Sequence, residues 1–231
     1  MSYYLSIRLI TDACFSGGSG HAGEVDTEIE YEEETGLPLL RGRILKGLLV
    51  EECAMLLSTL SDIHWENAAR ELFGASGLCT GAKVAVSDAF IPEPVRQVVQ
   101  AAIDRDQHPL SSNQILRSFT DIRYQTKINF DTGAPEKHSL RATRVALKGL
   151  VWHSRLVGTE RLTNEEKALF AACVLAVRRG GLNRNRGWGR LEMRIIGENQ
   201  SDVTPDWVAL LRKIEKGENN GKEGTPISSD T

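Results

Sequence analysis

A stretch near the end of the chain, Arg178 to Arg190, constrains the fold more than any other. It holds five arginines and four glycines in thirteen residues, with Trp188 between two of the glycines. Glycine allows positive φ and close approach of backbone N–H groups to a ligand, and arginine offers a planar fork of donors that fits phosphate oxygens. Like charges at this density repel one another unless an anion lies among them. The stretch therefore predicts a phosphate-binding loop, with a helix C-cap and basic hairpin as the structural alternative.

The flanks of this stretch predict a core helix before it and a core strand after it. Residues 163–166 have the pattern of a capping box, and alternating apolar residues follow the stretch, as in a buried strand. The stretch itself lacks the GxGxxG spacing of a dinucleotide fold and the GK[ST] ending of a P-loop. It is therefore expected to be a rigid connection that binds phosphate in some other way. The helix stripe is Leu169, Phe170, Cys173, Val174 and Val177, and the strand residues are Leu191, Met193 and Ile195.

The rest of the chain supplies the order of elements. Alternating residues predict a strand at the N-terminus, and apolar spacing predicts helices from Arg41 and over residues 65–73, a strand over 83–90 and a helix over 93–104. A polar, basic segment from 118 to 145, broken by a turn at 131–135, predicts a projecting hairpin. A core strand is predicted over 145–157, and Thr204 and Pro205 begin a last helix. The order strand, helix, strand, insertion, strand, helix, strand predicts an α+β, ferredoxin-like fold.

Composition and charge narrow the function. A chain of 231 residues that is 41% hydrophobic can bury a full core. The net charge of −3 is segregated: seven acids and no Lys or Arg lie between Glu24 and Glu34, and six arginines and one acid lie between Arg178 and Arg194. The four cysteines form no CxxC pair, so neither a zinc site nor a disulfide framework is predicted. Without a signal peptide or a membrane-spanning run, the expectation is a soluble, intracellular protein.

Two further charged segments, one basic and one acidic, can be interpreted from their own sequences. The helix start around Arg41, Arg43 and Lys46 is a second anion-binding candidate, because helix N-termini attract negative charge. The acidic segment is interpreted as a solvated hairpin with a weak strand signal. Its run of acids to Glu34 favours a loop-solvating role for Glu24 and Glu28 over assistance in a chemical step.

Four segments together resemble the RAMP superfamily of CRISPR-associated proteins. Residues 37–47, LPLLRGRILKG, are similar to the family's LP-x-x-x-G-S-S-L-K-G motif, and residues 180–190 are similar to its glycine-rich loop. Residues 120–134, followed by Arg144 and Val145, resemble the thumb of the backbone subunits of type III effector complexes. Residues 23–26 resemble the loop of those subunits that carries the target-cleaving aspartate. Arg43 and Ile44 stand where the family has two serines, so Arg41 is expected to supply a charge in place of the lost hydroxyl contact.

The resemblance covers roughly residues 3–197 and implies a fold and a function. The implied fold is a modified ferredoxin-like (RRM-like) RAMP domain over residues 1–197, with an insertion over about 92–144 and a thumb hairpin over about 120–144. A C-terminal helix at 198–216 and a disordered tail at 217–231 would follow. The implied function is that of a guide-RNA-binding backbone subunit of a type III complex in prokaryotic cytoplasm, acting in antiviral defence. Its implied partners are guide RNA, target RNA and other CRISPR-associated subunits, further RAMP copies among them.

The resemblance also implies a chemistry and its residues. Asp26 would bind a divalent metal ion, Mg²⁺, and cleave paired target RNA as an endoribonuclease, while Ile128 and Phe130 would act as thumb wedges. Two alternatives stay open. One is a non-catalytic scaffold in the same complex, and the other is a stand-alone endoribonuclease that processes guide precursors by histidine chemistry with His21, His64, His108, His138 or His153. The predicted RNA-binding residues are Arg41, Arg43, Lys46, Arg123, Lys127, Arg178, Arg179, Arg184, Arg186 and Arg190.

Overall fold

A computed structural model describes residues 2–16, 25–60, 62–74 and 81–215 of the chain. The segment from Gly17 to Gly23, with His21, lies outside the described residues, as do Glu24, Cys79 and the predicted tail at 217–231. In chain order the helices and strands are β1 (Tyr3–Leu9), α1 (Gly42–Leu57), α2 (Ile63–Phe73), β2 (Ala85–Phe90), α3 (Glu93–Ile103), α4 (Ser112–Phe119), β3 (Thr120–Gln125), β4 (Arg141–Ala146), β5 (Val151–Val157), α5 (Asn164–Ala176), β6 (Leu191–Ile196) and α6 (Thr204–Glu215).

Four strands form an antiparallel sheet in the order β2-β5-β1-β6. At its centre, Ile7 of β1 lies opposite Trp152 of β5 and Met193 of β6. Leu5, Ile7 and Leu9 are buried, whereas the alternate residues of β1 are partly or fully exposed. With the connections of the chain, this strand order is that of a ferredoxin-like domain, so the predicted α+β fold class is confirmed.

One face of the sheet is covered by α1, α2, α5 and α6, which also pack against one another. The predicted capping box begins α5: the Thr163 hydroxyl accepts from the Glu166 N–H, and the Glu166 carboxylate accepts from the Thr163 N–H. The amphipathic face that follows is buried because it lies directly on the sheet and on α1 and α2, with Leu169 and Phe170 fully inaccessible to solvent. No helix among the described residues is long and apolar enough to cross a membrane.

The segment between β2 and β5 is an insertion that carries α3, α4 and the pair β3–β4. The strands β3 and β4 pair in an antiparallel register from Thr120 opposite Ala146 to Gln125 opposite Arg141, which confirms the predicted hairpin. The sequence analysis missed α4, whose capping box is formed by Ser111 and Gln114.

Two predictions about local structure are wrong. The strand predicted over 145–157 is two strands, because a turn at Lys148 and Gly149 separates β4 from β5; Gly149 has a φ of 89° and its N–H donates to Leu9 at 2.9 Å. The acidic segment is not a solvated hairpin in its described part. Val25, Glu28 and Ile29 are buried there, and the chain makes only isolated bridges, from Thr27 to Thr143 and from Tyr31 to Pro38.

Candidate nucleic-acid interface

The arginine loop, residues 178–190, connects the end of α5 to β6 and is closed at its base by backbone hydrogen bonds. The Gly180 N–H donates to Gly189 at 2.9 Å, and the Leu191 N–H donates to Arg178 at 3.0 Å. The tip contains a single 3₁₀ turn, Arg184–Arg186, entered through Asn183 in the left-handed region. Trp188 is half-buried against the core. The loop is therefore a fixed structure, as its position between a core helix and a core strand predicted.

Glycine is required where the arginine loop passes the segment that follows β1. Gly181 has a φ of 81°, and a Cβ there would lie 2.5 Å from the carbonyl oxygen of Cys14. Gly189 has a φ of 68°, and a Cβ there would lie 1.9 Å from the carbonyl oxygen of Gly180. The Gly189 N–H donates to the carbonyl of Asp12 at 2.8 Å, which fixes the loop to that segment. Any side chain at Gly181 or Gly189 would push these backbones apart.

The arginine loop leaves four of its five arginines without an acidic partner among the described residues. These four are Arg178, Arg179, Arg186 and Arg190, which are exposed and form no ion pair within the described part of the chain. The exception is Arg184, which donates two hydrogen bonds to the Glu51 carboxylate of α1, at 2.8 and 2.6 Å. This contact raises the pKa of Arg184 and lowers the pKa of Glu51. The loop therefore presents a concentrated positive charge that the described part of the protein does not neutralise.

The second predicted anion site, at the start of α1, is already neutralised by the protein. The Gly42 N–H donates to the Asp88 carboxylate at 2.7 Å, so an internal anion lies at this helix N-terminus. Arg41 contacts Glu30 and Asp88, each at 3.0 Å, and these hydrogen bonds raise its pKa. Arg43 lies 3.7 Å from Glu30 and is 71% exposed. Of the three predicted basic residues here, only Lys46 has no acidic partner among the described residues, and it is partly buried.

The thumb hairpin, consisting of β3, β4 and residues 126–140 between them, presents apolar side chains at its tip. Phe130 is fully exposed and Ile128 is 48% exposed. The tip is ordered by hydrogen bonds across the turn, such as that from the Asn129 N–H to Ala134 at 2.9 Å. The two predicted basic contacts of the hairpin are paired: Arg123 lies 2.7 Å from Asp12, and Lys127 lies 3.0 Å from Glu136.

Asp26 lies exposed at the foot of the thumb hairpin and is attached to it through Ala142. The Asp26 N–H donates to the Ala142 carbonyl at 2.9 Å, and the Asp26 Oδ2 atom accepts from the Ala142 N–H at 2.7 Å. Two residues further along, Glu28 accepts from the Arg144 Nε–H at 2.9 and 3.1 Å in a buried ion pair. The segment that carries Asp26 and strand β4 of the thumb therefore form one unit. The earlier interpretation of Glu28 as a loop-solvating residue is wrong, because Glu28 is 5% exposed.

The metal prediction was tested against the donors that surround Asp26. Within residues 2–16, 25–60, 62–74 and 81–215, no group of three or more His, Cys, Asp or Glu side chains is arranged to hold a metal ion. One oxygen of Asp26 is engaged by Ala142, which leaves Oδ1 as the available ligand atom. Magnesium retains several waters and accepts phosphate oxygens, so this single carboxylate fits the ion only when it is shared with bound RNA.

The described histidines are dispersed. His64 contacts Asp62 at 2.9 Å, and His153 lies on β5 beside Tyr4, where burial lowers its pKa. His108 and His138 adopt positive φ values of 55° and 62° in surface turns. These placements associate His64, His108, His138 and His153 with different parts of the surface, and His21 lies outside the described residues.

Sequence reasoning did not identify the acids that pair with the basic residues. Asp12, Glu51 and Asp88 each hold an arginine that had been predicted to contact RNA. Each acid is distant in sequence from its arginine, and nothing in the local pattern marks it. Arg144 belongs to the segment that was predicted to be polar and basic, whereas its side chain is buried.

Comparison with known proteins assigns the fold family. The model of the RAMP superfamily matches residues 6–192, and the chain belongs to that superfamily. No curated protein sequence matches the chain. Among solved structures, a chain of "Type III-B Cmr-beta Cryo-EM structure of the Apo state" is similar with a TM-score of 0.62 and 14% identity, covering 86% of this chain and 98% of that one. A chain of "Cryo-EM structure of the Type III-B Cmr-beta bound to cognate target RNA" is similar with a TM-score of 0.60 and 13% identity, covering 90% and 98%.

Proposed function

We propose that this chain is a guide-RNA-binding backbone subunit of a type III CRISPR RNA-guided complex that acts in antiviral defence in prokaryotic cytoplasm. The observation that carries the proposal is the set of four arginines on the hydrogen-bonded arginine loop that have no acidic partner in the described ranges of the chain. A fixed, unneutralised cluster of this kind favours a polyanion, because the free energy of binding phosphates offsets the repulsion between the arginines.

Membership of the RAMP superfamily and the similarity to chains of two type III-B structures support this assignment. One of those structures contains target RNA. The partners proposed for this chain are therefore guide RNA, target RNA and the other subunits of the complex, further RAMP copies among them.

Guide binding is assigned to the arginine loop and Lys46. These side chains contact phosphates and carry no sequence information, so base pairing between guide and target supplies the specificity. The thumb hairpin reaches across the guide–target duplex, and its exposed Phe130 and Ile128 insert between base steps. Unstacking a step costs a few kcal/mol, which burial of these apolar side chains offsets.

Cleavage of the target is assigned to Asp26. Attack of a 2′-hydroxyl on the neighbouring phosphate needs in-line geometry, and the attachment of Asp26 to Ala142 fixes the carboxylate relative to the thumb that deforms the RNA. The Oδ1 atom of Asp26 would hold Mg²⁺ together with RNA phosphate oxygens, and the bound ion would supply positive charge for the negative charge that develops at phosphorus. The chain thus contributes the ligand atom, its position and the deformed backbone.

A scaffold without cleavage is a second candidate, favoured by one observation. Among the described residues Asp26 belongs to no group of three or more potential metal ligands, and the hydrogen bond from Ala142 already occupies one of its oxygens. The two candidates share the arginine loop and differ only at Asp26.

Substitution of Asp26 separates the two candidates. Asp26→Asn keeps the shape and the hydrogen bond from Ala142 but removes the negative charge. In the purified complex with guide RNA, we expect loss of magnesium-dependent target cleavage, with guide and target binding equal to wild type. The control is Glu33→Gln, which removes an exposed charge from the same acidic segment and should cleave normally. Cleavage by Asp26→Asn at the wild-type rate would support the scaffold.

A further inference from the structure

A cavity of about 720 Å³ opens beside the arginine loop, between the end of α5, strand β6 and helix α6. Its lining includes the apolar side chains of Leu175, Val177 and Val208, and the charged residues Arg178, Arg190, Glu192, Arg194, Asp202 and Arg212. Small-molecule sites commonly have volumes of roughly 300 to 1,000 Å³ and combine apolar walls with a few polar groups. The cavity therefore has the size and the lining of a ligand site.

The floor of the cavity exposes one open position on the edge of the sheet. Strand β6 is an edge strand that pairs only with β1 in the described sheet. The N–H groups of Leu191 and Ile195 point away from β1, to the Arg178 carbonyl at 3.0 Å and to the Thr204 hydroxyl at 2.7 Å. Because every second residue of a strand points the same way, the N–H and C=O of Met193 also face outward. Met193 lines the cavity, so a donor and an acceptor are presented side by side within it.

The neighbours of this open position decide which ligand can use it. An added peptide strand needs successive outward-facing residues on the edge. Here Leu191 is already bonded to Arg178, and the Ile195 carbonyl accepts from the Val203 N–H at 2.9 Å. Among the described residues the N–H and C=O of Met193 have no hydrogen-bond partner, whereas the Leu191 N–H and both backbone groups of Ile195 are engaged. This short open stretch fits a small planar group with one acceptor and one donor better than an extended peptide. The edges of nucleobases have this arrangement.

Three arginines that line the cavity place positive charge near the open backbone groups of Met193. Arg178, Arg190 and Arg212 have no acidic partner among the described residues, whereas Arg194 is held by Asp202 at 3.1 Å. Arg178 and Arg190 are also the two ends of the arginine loop, so a phosphate bound between them would lie beside the cavity that both residues line. Positive charge and an open donor–acceptor pair in one cavity are complementary to a nucleotide.

We propose that the cavity between α5, β6 and α6 binds one nucleotide of a single-stranded RNA that passes the arginine loop, with its base on the Met193 backbone and its phosphate on Arg178 and Arg190. The inference rests on RNA binding by the arginine loop, which is part of the proposed function, and it is independent of Asp26. It adds a base-contacting position to a loop that otherwise contacts only phosphates.

The test uses the full chain and single-stranded RNA of about eight nucleotides, in which one base at a time is removed to leave an abasic sugar. Loss of the base in the cavity removes two hydrogen bonds and its apolar contacts, so affinity should fall about tenfold at one or two adjacent positions. Ala209→Trp fills the cavity from α6 without changing an arginine. In this variant the removal of a base should have the same effect at every position of the RNA, so that the abasic scan is flat. The control Lys213→Trp, on an exposed position of α6, should keep the wild-type pattern.

Methyl NMR supplies a second readout in the wild-type chain. RNA should shift the methyl signal of Met193 and leave that of Met55 unchanged, because Met55 is exposed on α1, outside the cavity lining.

A flat abasic scan in the wild-type chain, with intact RNA affinity, would overturn the cavity assignment but leave the assignment of the arginine loop as the phosphate site unaffected. Absence of any RNA affinity would instead reject the proposed function. Individual nucleoside monophosphates that shift Met193 while the scan is flat would assign the cavity to free nucleotides and overturn the RNA proposal.

Discussion

Arginines of the arginine loop and arginines at the foot of the thumb hairpin stand in opposite electrostatic surroundings. In the loop, Arg179 and Arg186 extend into solvent with no acid among the described residues beside them. At the foot of the hairpin, Arg123 contacts Asp12 at 2.7 Å, and Arg144 is buried against Glu28 at 2.9 Å. The residue type is the same, but of these four described residues it is Arg179 and Arg186 whose donors are available for a ligand.

Arginines that are paired with carboxylates stabilise the fold, whereas unpaired arginines are available to bind RNA phosphates. A guanidinium that is paired with a carboxylate has already exchanged its water for a protein partner, and an RNA phosphate would have to displace that partner. An unpaired guanidinium loses only water and counterions when it contacts a phosphate. The paired set at the hairpin and at α1 is therefore expected to affect stability, and the unpaired set in the loop is expected to affect RNA affinity.

The largest expected effect is on stability, from Arg144→Met. Removing one partner of a buried ion pair leaves the other charge uncompensated, which destabilises a protein by about 3 to 5 kcal/mol. We expect a loss of this size in the free energy of unfolding, measured by urea denaturation. The double variant Glu28→Leu/Arg144→Met removes both charges and should recover most of the loss. A loss below about 1 kcal/mol for Arg144→Met would place Arg144 with the solvent-accessible arginines.

The next effect is on RNA affinity, from Arg179→Ala/Arg186→Ala. Each lost phosphate contact reduces the salt dependence of single-strand binding by about 0.7 in the slope of log K against log salt. We expect a slope change of about 1.4 and at least a tenfold loss of affinity for all sequences alike, measured by filter binding. Unchanged affinity would mean that the loop is not the phosphate site.

The matched control removes two paired arginines, Arg41→Ala/Arg123→Ala. It has the same change in net charge as the loop variant, but its arginines are bonded to carboxylates. Its salt slope should equal that of wild type, while its unfolding midpoint should fall. Equal slopes for the two double variants would remove the distinction between paired and unpaired arginines.

Much of the fold followed from local patterns in the sequence. The alternation in β1, the capping box at Thr163 and the glycines of the arginine loop each act within a few residues, and each was predicted. The helix α4 was missed because it is short and mostly polar, and only Ser111 and Gln114 mark its start. The prediction of one strand over residues 145–157 was wrong because a single glycine turn interrupts an otherwise apolar run.

The candidate site was less predictable, because its electrostatics depend on contacts between distant residues. Glu28 and Arg144 are 116 positions apart in the chain, and Arg41 and Asp88 are 47 apart. Local charge density identified where basic residues concentrate, but only the fold determines which of them are neutralised. The acids that neutralise these arginines come from the segment after β1, the acidic segment, α1 and β2, and no local pattern indicates that role.

The smallest expected effect on RNA affinity concerns Arg184, the arginine of the loop that the described structure pairs with a carboxylate. Glu51→Gln removes the carboxylate that accepts its two hydrogen bonds, so Arg184 becomes available to a phosphate. RNA affinity should rise a few-fold at neutral pH, and the salt slope should increase by about 0.7. The control Glu66→Gln frees Arg70 on α2, from a pair of 3.6 Å, with the same change in net charge. It should leave the slope unchanged, so that an equal rise in both variants would indicate only a general effect of charge.

The pH dependence of RNA affinity is an independent test of the ion pair between Arg184 and Glu51. The hydrogen bond from Arg184 lowers the pKa of Glu51, so the pair persists at neutral pH and is lost as the pH falls through that lowered pKa. Phosphodiesters remain charged over this range. Wild-type RNA affinity should therefore approach that of Glu51→Gln as the solution becomes acidic, while the two remain apart at neutral pH. Parallel pH profiles for wild type and Glu51→Gln would show that Arg184 does not reach the RNA even when its carboxylate partner is removed, and that the unpaired loop arginines alone form the phosphate site.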